Sequence, residues 1–127
     1  MYNGLIIAKS PSIDFKTGAA NTTIFTPPYN FIPTSIKIHF TTITALSGSP
    51  GTFTVGITPA SYLDWCTTTS ITVASAVTNS VYTLTVVVGS AGAPMCPAGT
   101  PIVLRTGTGA TGTTCTGVAY LTGYYIS

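Results

Sequence analysis

The chain is poor in the residues that carry chemistry. Its 127 residues include four Lys or Arg, two Asp or Glu and one His, and charged side chains make up 5% of it, against about 25% in an average soluble domain. Acid/base catalysis needs at least two titratable groups brought together, and the whole stock is Asp14, Asp64 and His39. A Ser-His-Asp site would have to use His39 with one of those aspartates, and no serine stands in a Gly-x-Ser-x-Gly elbow. Metal chemistry is equally short of means: one His, two Asp and the dispersed Cys66, Cys96 and Cys115 show none of the usual ligand spacings. The expectation is a protein that is not an enzyme, with no catalytic, metal or cofactor-binding residues and no cofactor.

Other absences exclude other classes. No apolar run approaches the about 18 to 20 residues that span a bilayer, and Met1-Tyr2-Asn3-Gly4 lacks the basic and apolar regions of a secretory signal. A product made in a cytoplasm, with no membrane partner, is expected. The net charge of +2 is small, and Lys9, Lys16, Lys37 and Arg105 never cluster along the chain, so no nucleic-acid partner is expected. Three cysteines are an odd count for a disulfide framework. Buried free thiols are the expectation, with a bridge from Cys96 to Cys66 or Cys115 as the alternative.

What the chain has in quantity is Thr, its most abundant residue, together with Ser, Asn and Gly. Thr is β-branched and suits a pleated sheet, and its hydroxyl supplies a neutral polar surface. Apolar residues recur at every second position in short runs separated by Gly, Pro, Ser and Asn, the pattern of antiparallel strands. Strands are predicted at Leu5 to Lys9, Thr22 to Thr26, Ile36 to Thr41, Phe53 to Ile57, Ser70 to Ser75, Val81 to Val88, Ile102 to Thr106 and Thr116 to Ile126. In the clearest of them Ile36, Ile38 and Phe40 point into a core while Lys37, His39 and Thr41 point away. A polar loop is read through Asp14, Lys16 and Gly18, and Pro27-Pro28 and Pro33 are read as strand boundaries. The turn Gly48-Ser49-Pro50-Gly51 suggests that the third and fourth strands form a hairpin. Ala60 to Cys66 lacks alternation and reads as a turn of helix or a buried crossover, with Asp64 capping local backbone N–H groups.

About eight strands in 127 residues give an all-β, single-domain, two-sheet antiparallel sandwich, jelly-roll or immunoglobulin-like. Gly107-Thr108-Gly109-Ala110-Thr111-Gly112 matches Gly-x-Gly-x-x-Gly, but that motif must open a helix, and here a Thr-rich strand follows. A hairpin turn is the reading there.

With so few charges, function is expected through surface contact. The apolar-tipped loop around Ala93-Pro94-Met95-Cys96-Pro97 is the best candidate to dock in a groove, and the tyrosines near the end, Tyr124 and Tyr125, suit a subunit contact. The edge strands at Leu5 to Lys9 or Ser70 to Ser75 offer backbone groups to a partner's sheet. The candidate interface is therefore Ala93, Pro94, Met95, Pro97, Tyr124 and Tyr125. Tyrosines also stack on sugar rings, so a glycan is the alternative ligand.

Several stretches, Thr-Ile-Phe-Thr-Pro-Pro-Tyr followed by Phe31 to Ile38, the strand Phe53 to Ile57 and the closing Val118 to Ile126, resemble small β-sandwich virion structural proteins of tailed bacteriophages. The resemblance implies a capsid decoration or cement protein that stabilises a phage head. It would sit on the capsid surface as a homo-oligomer, trimer or dimer, against the major capsid protein or another virion protein. A tail, fibre or receptor-binding module that recognises host glycan, or a secreted carbohydrate-binding or adhesin module, is the alternative.

Overall fold

A computed structural model describes residues 4–44, 51–60, 62–71, 81–84, 95–112 and 114–126. Among the described residues the period-two runs form nine strands: β1 (Leu5–Lys9), β2 (Ile13–Asp14), β3 (Ala20–Phe25), β4 (Phe31–Thr44), β5 (Gly51–Gly56), β6 (Cys66–Ile71), β7 (Val81–Leu84), β8 (Ile102–Thr106) and β9 (Thr114–Tyr125). They make two antiparallel sheets, one ordered β1-β9-β4-β7 with β2 also on β9, the other β3-β8-β5-β6.

Leaving out the two-residue β2, the strands pair first with last and so on inward: β1 with β9, β3 with β8, β4 with β7 and β5 with β6. The chain is thus one long antiparallel ribbon rolled up, and the contacts β4 to β9 and β5 to β8 zip the roll into two sheets. This is the jelly-roll order, which decides between the two topologies left open by the sequence.

The same order corrects both expected hairpins, since the Gly107 to Gly112 segment joins β8 of one sheet to β9 of the other. β4 and β5 are consecutive in the chain but lie in different sheets, β4 on β7 and β9, β5 on β6 and β8. Both runs alternate because each has one face on the shared core, and alternation specifies a face without specifying a partner. Gly48, Ser49 and Pro50 lie outside the described residues, as do the parts of the predicted strands at 72–75 and 85–88.

The core is built as the alternation requires. Ile36, Ile38 and Phe40 from β4 and Phe53 and Val55 from β5 are fully buried. Between them stands Phe15, whose ring meets Phe40 of one sheet at 5.4 Å and Phe53 of the other at 5.7 Å, both edge-on, a geometry that aromatic quadrupoles favour. The segment read as a polar loop therefore holds two core residues, Ile13 and Phe15. Single apolar residues between Asp14 and Lys16 look like a loop locally, yet β2 pairs with β9 and turns both inward.

Pro33 does not mark the start of a strand. It sits within β4, opposite Gly123, beside a bulge that skips Thr34, one of the places where a sheet tolerates a residue without an N–H. Gly123 is required by close approach, because a Cβ there would run into the Ile32 carbonyl and the Phe31 ring. The stretch from Ala60 to Cys66 contains no helix among its described residues; it is an irregular crossover with Trp65 fully buried.

Candidate functional site

Of the six residues expected at an interface, Ala93 and Pro94 lie outside the described residues. Cys96 bridges to Phe31 in both directions, N–H to carbonyl at 2.8 and 2.6 Å, so Met95 and Pro97 are held against the start of β4. Phe31 is also the cross-strand partner of Tyr125, and their rings meet at 5.9 Å. The fold thereby brings Met95, Pro97 and Tyr125 to one end of the sandwich, where Phe25, Tyr29 and Phe31 complete an edge-to-face aromatic cluster. Asn30 locks this end, accepting from Ala98 N–H at 3.1 Å through Oδ1 and from Ile126 N–H at 2.9 Å through its carbonyl. Tyr124 goes elsewhere. Neighbouring residues in a strand face opposite sides, and Tyr124 stands on the outward face of the first sheet.

That outward face is where exposed apolar surface collects. Ile6, Ala8, Leu121, Ala119, Ile36 and Ile38 turn toward the core, so the residues between them turn out. The register places Leu5, Tyr124 and Ile32 in one row, Ile7, Thr122 and Ser35 in the next, then Lys9, Tyr120 and Lys37, then Val118, His39 and Val81. Leu5 is 62% exposed, Ile7 65%, Val81 56% and Tyr124 36%. Four of the six large exposed hydrophobic side chains among the described residues share this one face; Tyr29 and Leu63 are the others.

Leu5, Ile7, Ile32 and Val81 were not singled out from the sequence. The signal was present in Leu5-Ile6-Ile7-Ala8, which is apolar on both faces where an edge strand with one solvated face should alternate.

The second sheet's outward face is largely self-covered. The crossover lies over Gly56, where a Cβ would collide with Asp64. The Asp64 carboxylate accepts from the N–H groups of Ile57 at 2.7 Å and Thr58 at 2.8 Å and from the Thr58 hydroxyl at 2.7 Å. It is a local cap, as the sequence reading had it. Burial pushes its pKa up, but the Thr58 N–H and hydroxyl, the Ile57 N–H and its own N–H together pull it below the ordinary 3.8. Beside the crossover is a shallow groove of about 170 Å³ whose lining includes Thr52, Thr54, Leu63 and Arg105. Arg105 is engaged there, donating to Asn21 Oδ1 at 3.1 Å.

His39 and Asp14 belong to the first sheet and Asp64 to the crossover on the second, so the fold does not gather the three. Among the described residues no group of three or more His, Cys, Asp or Glu side chains is placed to hold a metal ion. The cysteines are all free and buried, as expected from their odd count. Burial pushes the Cys96 thiol up to about 11, and burial with the Asp14 charge raises Cys115. Since the thiolate is the reactive form, the native protein is expected to take up no iodoacetamide at mildly alkaline pH and to be alkylated at all three cysteines once unfolded. Mass spectrometry of the intact chain checks this, and label at Cys96 or Cys115 in the native state would contradict it.

No protein-family model matches the sequence, and no curated protein matches it. Solved structures do. A chain of the cyanophage Pam1 capsid asymmetric unit superposes with a TM-score of 0.65 and 17% identity, over 98% of this chain and 86% of that one. A chain of the acid-stable capsid of Helicobacter pylori bacteriophage KHP30 gives 0.63 and 14%, over 99% and 92%. The chain has the fold of proteins found in phage capsids. The likeness to phage structural β-sandwiches read from the sequence therefore holds for the fold, along nearly the whole chain.

Proposed function

We propose that this protein is a structural component of a phage virion, one that decorates or cements the capsid by surface contact and catalyses nothing. The observation that carries the reading is the whole-chain likeness to chains of two capsid structures. Physical support comes from a face with four exposed apolar side chains, in a chain with 5% charged residues, since the largest apolar patch on a protein surface is often a functional contact. On a symmetric shell a modest contact per subunit is multiplied wherever subunits also touch one another. The partner in this reading is the major capsid protein or another virion protein, and the protein itself is a homo-oligomer, trimer or dimer, located at the capsid surface. Tyr125, Met95 and Pro97 at the aromatic end are the proposed contacts between copies.

Quantitative mass spectrometry of purified particles tests it. The protein is expected at a copy number comparable to that of the major shell protein. A few copies per particle, together with binding to host glycan, would replace this reading by a tail or receptor-binding module.

A further inference from the structure

The outward face of β1-β9-β4-β7 is apolar, and the charge within its four rows is of one sign; Asp14 of β2, exposed beside the buried Ile13, stands on the same side beyond the last row. The third row places Lys9 and Lys37 on the two sides of Tyr120, and His39 stands in the next row. Three of the chain's seven charged or histidine side chains are therefore within these rows. No carboxylate is close to the two lysines. Asp14, opposite Thr116, stands four residues along β9 from Tyr120, about 13 Å away, beyond the roughly 8 Å over which exposed charges interact at physiological salt. It is also turned back onto its own loop, accepting from the Lys16 N–H at 3.0 Å and the Thr17 hydroxyl at 3.2 Å. Asp64 is held in the crossover on the other sheet.

Two arguments identify what covers this face. The first is area: three strand spacings of about 4.8 Å and six residues of about 3.4 Å make a platform of roughly 300 Å², against about 800 Å² per partner in a stable soluble complex. The face alone is too small to hold two copies together in solution, but large enough for a contact repeated on a lattice. The second is charge: copy against copy would bring together four lysines, offset only by Asp14, which lies beyond the rows and is engaged by its own loop, and this costs affinity and specificity.

We infer that this face docks on a different protein, at an apolar strip flanked by carboxylates about 10 Å apart, the span of two strand spacings that separates Lys9 from Lys37. The inference rests on the capsid reading, in which that protein is the shell subunit. Leu5, Ile7, Tyr124 and Val81 supply the apolar contact, and the two lysines fix register and exclude other partners.

The test adds purified protein to capsids that lack it and measures occupancy by sedimentation. Lys9→Glu/Lys37→Glu is expected to lower binding by about tenfold or more, as is Leu5→Ser/Ile7→Ser, while Lys16→Glu/Arg105→Glu, the same charge change outside these rows, binds as the unaltered protein does. Melting curves establish that each variant is folded. Failure of the unaltered protein to bind any capsid overturns the capsid reading and this one with it. Binding by the unaltered protein that both double variants of this face retain overturns the face assignment alone. A solution dimer abolished by Leu5→Ser/Ile7→Ser, or tight binding to phosphatidylserine vesicles lost in Lys9→Glu/Lys37→Glu, overturns the acidic protein partner.

Discussion

Replacing Phe31 with alanine is expected to cost the fold about 3–5 kcal/mol, the range for removing a fully buried aromatic side chain. The residue has no accessible surface and closes one end of the roll from three directions. Its backbone bridges to Cys96, its ring meets Phe25 at 5.5 Å and Tyr125 at 5.9 Å, and Gly123 is bare so that the ring can lie against β9. On one side the ring lies against β9, which is paired with β1 and β4 and cannot collapse into the space left. Tyr29, in ring contact with Tyr125 but 54% exposed, is the control, and its truncation should cost less than about 1 kcal/mol. Urea denaturation of both variants measures the difference. A loss below about 1 kcal/mol for Phe31→Ala would mean that the aromatic end is not part of the cooperative core.

Asp64→Ala is expected to cost about 1–2 kcal/mol, the scale of losing hydrogen bonds to a charged acceptor where one donor, the Ile57 N–H, is part-buried and the two on Thr58 are exposed. Three donors converge on that carboxylate at 2.7 to 2.8 Å, and they hold the crossover that covers Gly56 and leads into Trp65. The effect depends on pH in a determined direction. The folded-state pKa lies below the ordinary 3.8, so the contribution is complete above that value and disappears as pH falls through the lower, folded-state value. Asp64→Asn, which keeps the shape and loses the charge, should therefore be less stable than the unaltered protein at neutral pH, with the gap closing in acid below 3.8. Denaturation midpoints of the two proteins across that range are the check, and a gap that stays constant would show that the carboxylate's charge does not hold the loop.

Asp64 was legible in the sequence and Phe15 was not. An aspartate beside Leu63 and Trp65 with Thr58 upstream has one common use, to cap nearby N–H groups, and each donor is within seven residues. Phe15 lies between Asp14 and Lys16, and nothing within several residues shows that it will wedge between Phe40 and Phe53. The docking face divides in the same way. Leu5 to Lys9 was readable as an edge strand and Tyr124 as a contact residue, but their meeting in one row depends on Leu5 pairing with Tyr124, at opposite ends of the chain. Tyr124 and Tyr125, adjacent in sequence, part company because a strand turns them to opposite sides.

The residues alone therefore determined the class of the molecule: all β, nearly without ionisable chemistry, its thiols buried, each strand with a marked inner face. Those properties are local or additive, set by composition and by a period of two along the chain. Only the tertiary structure decided the rolled order of strands, the separation of β4 from β5 and the gathering of Leu5, Ile7, Tyr124 and Val81 around two lysines. Sheet pairing is made by backbone groups that every residue possesses, so a strand's own side chains say which way it faces and leave the choice of neighbour to the packing of the whole core.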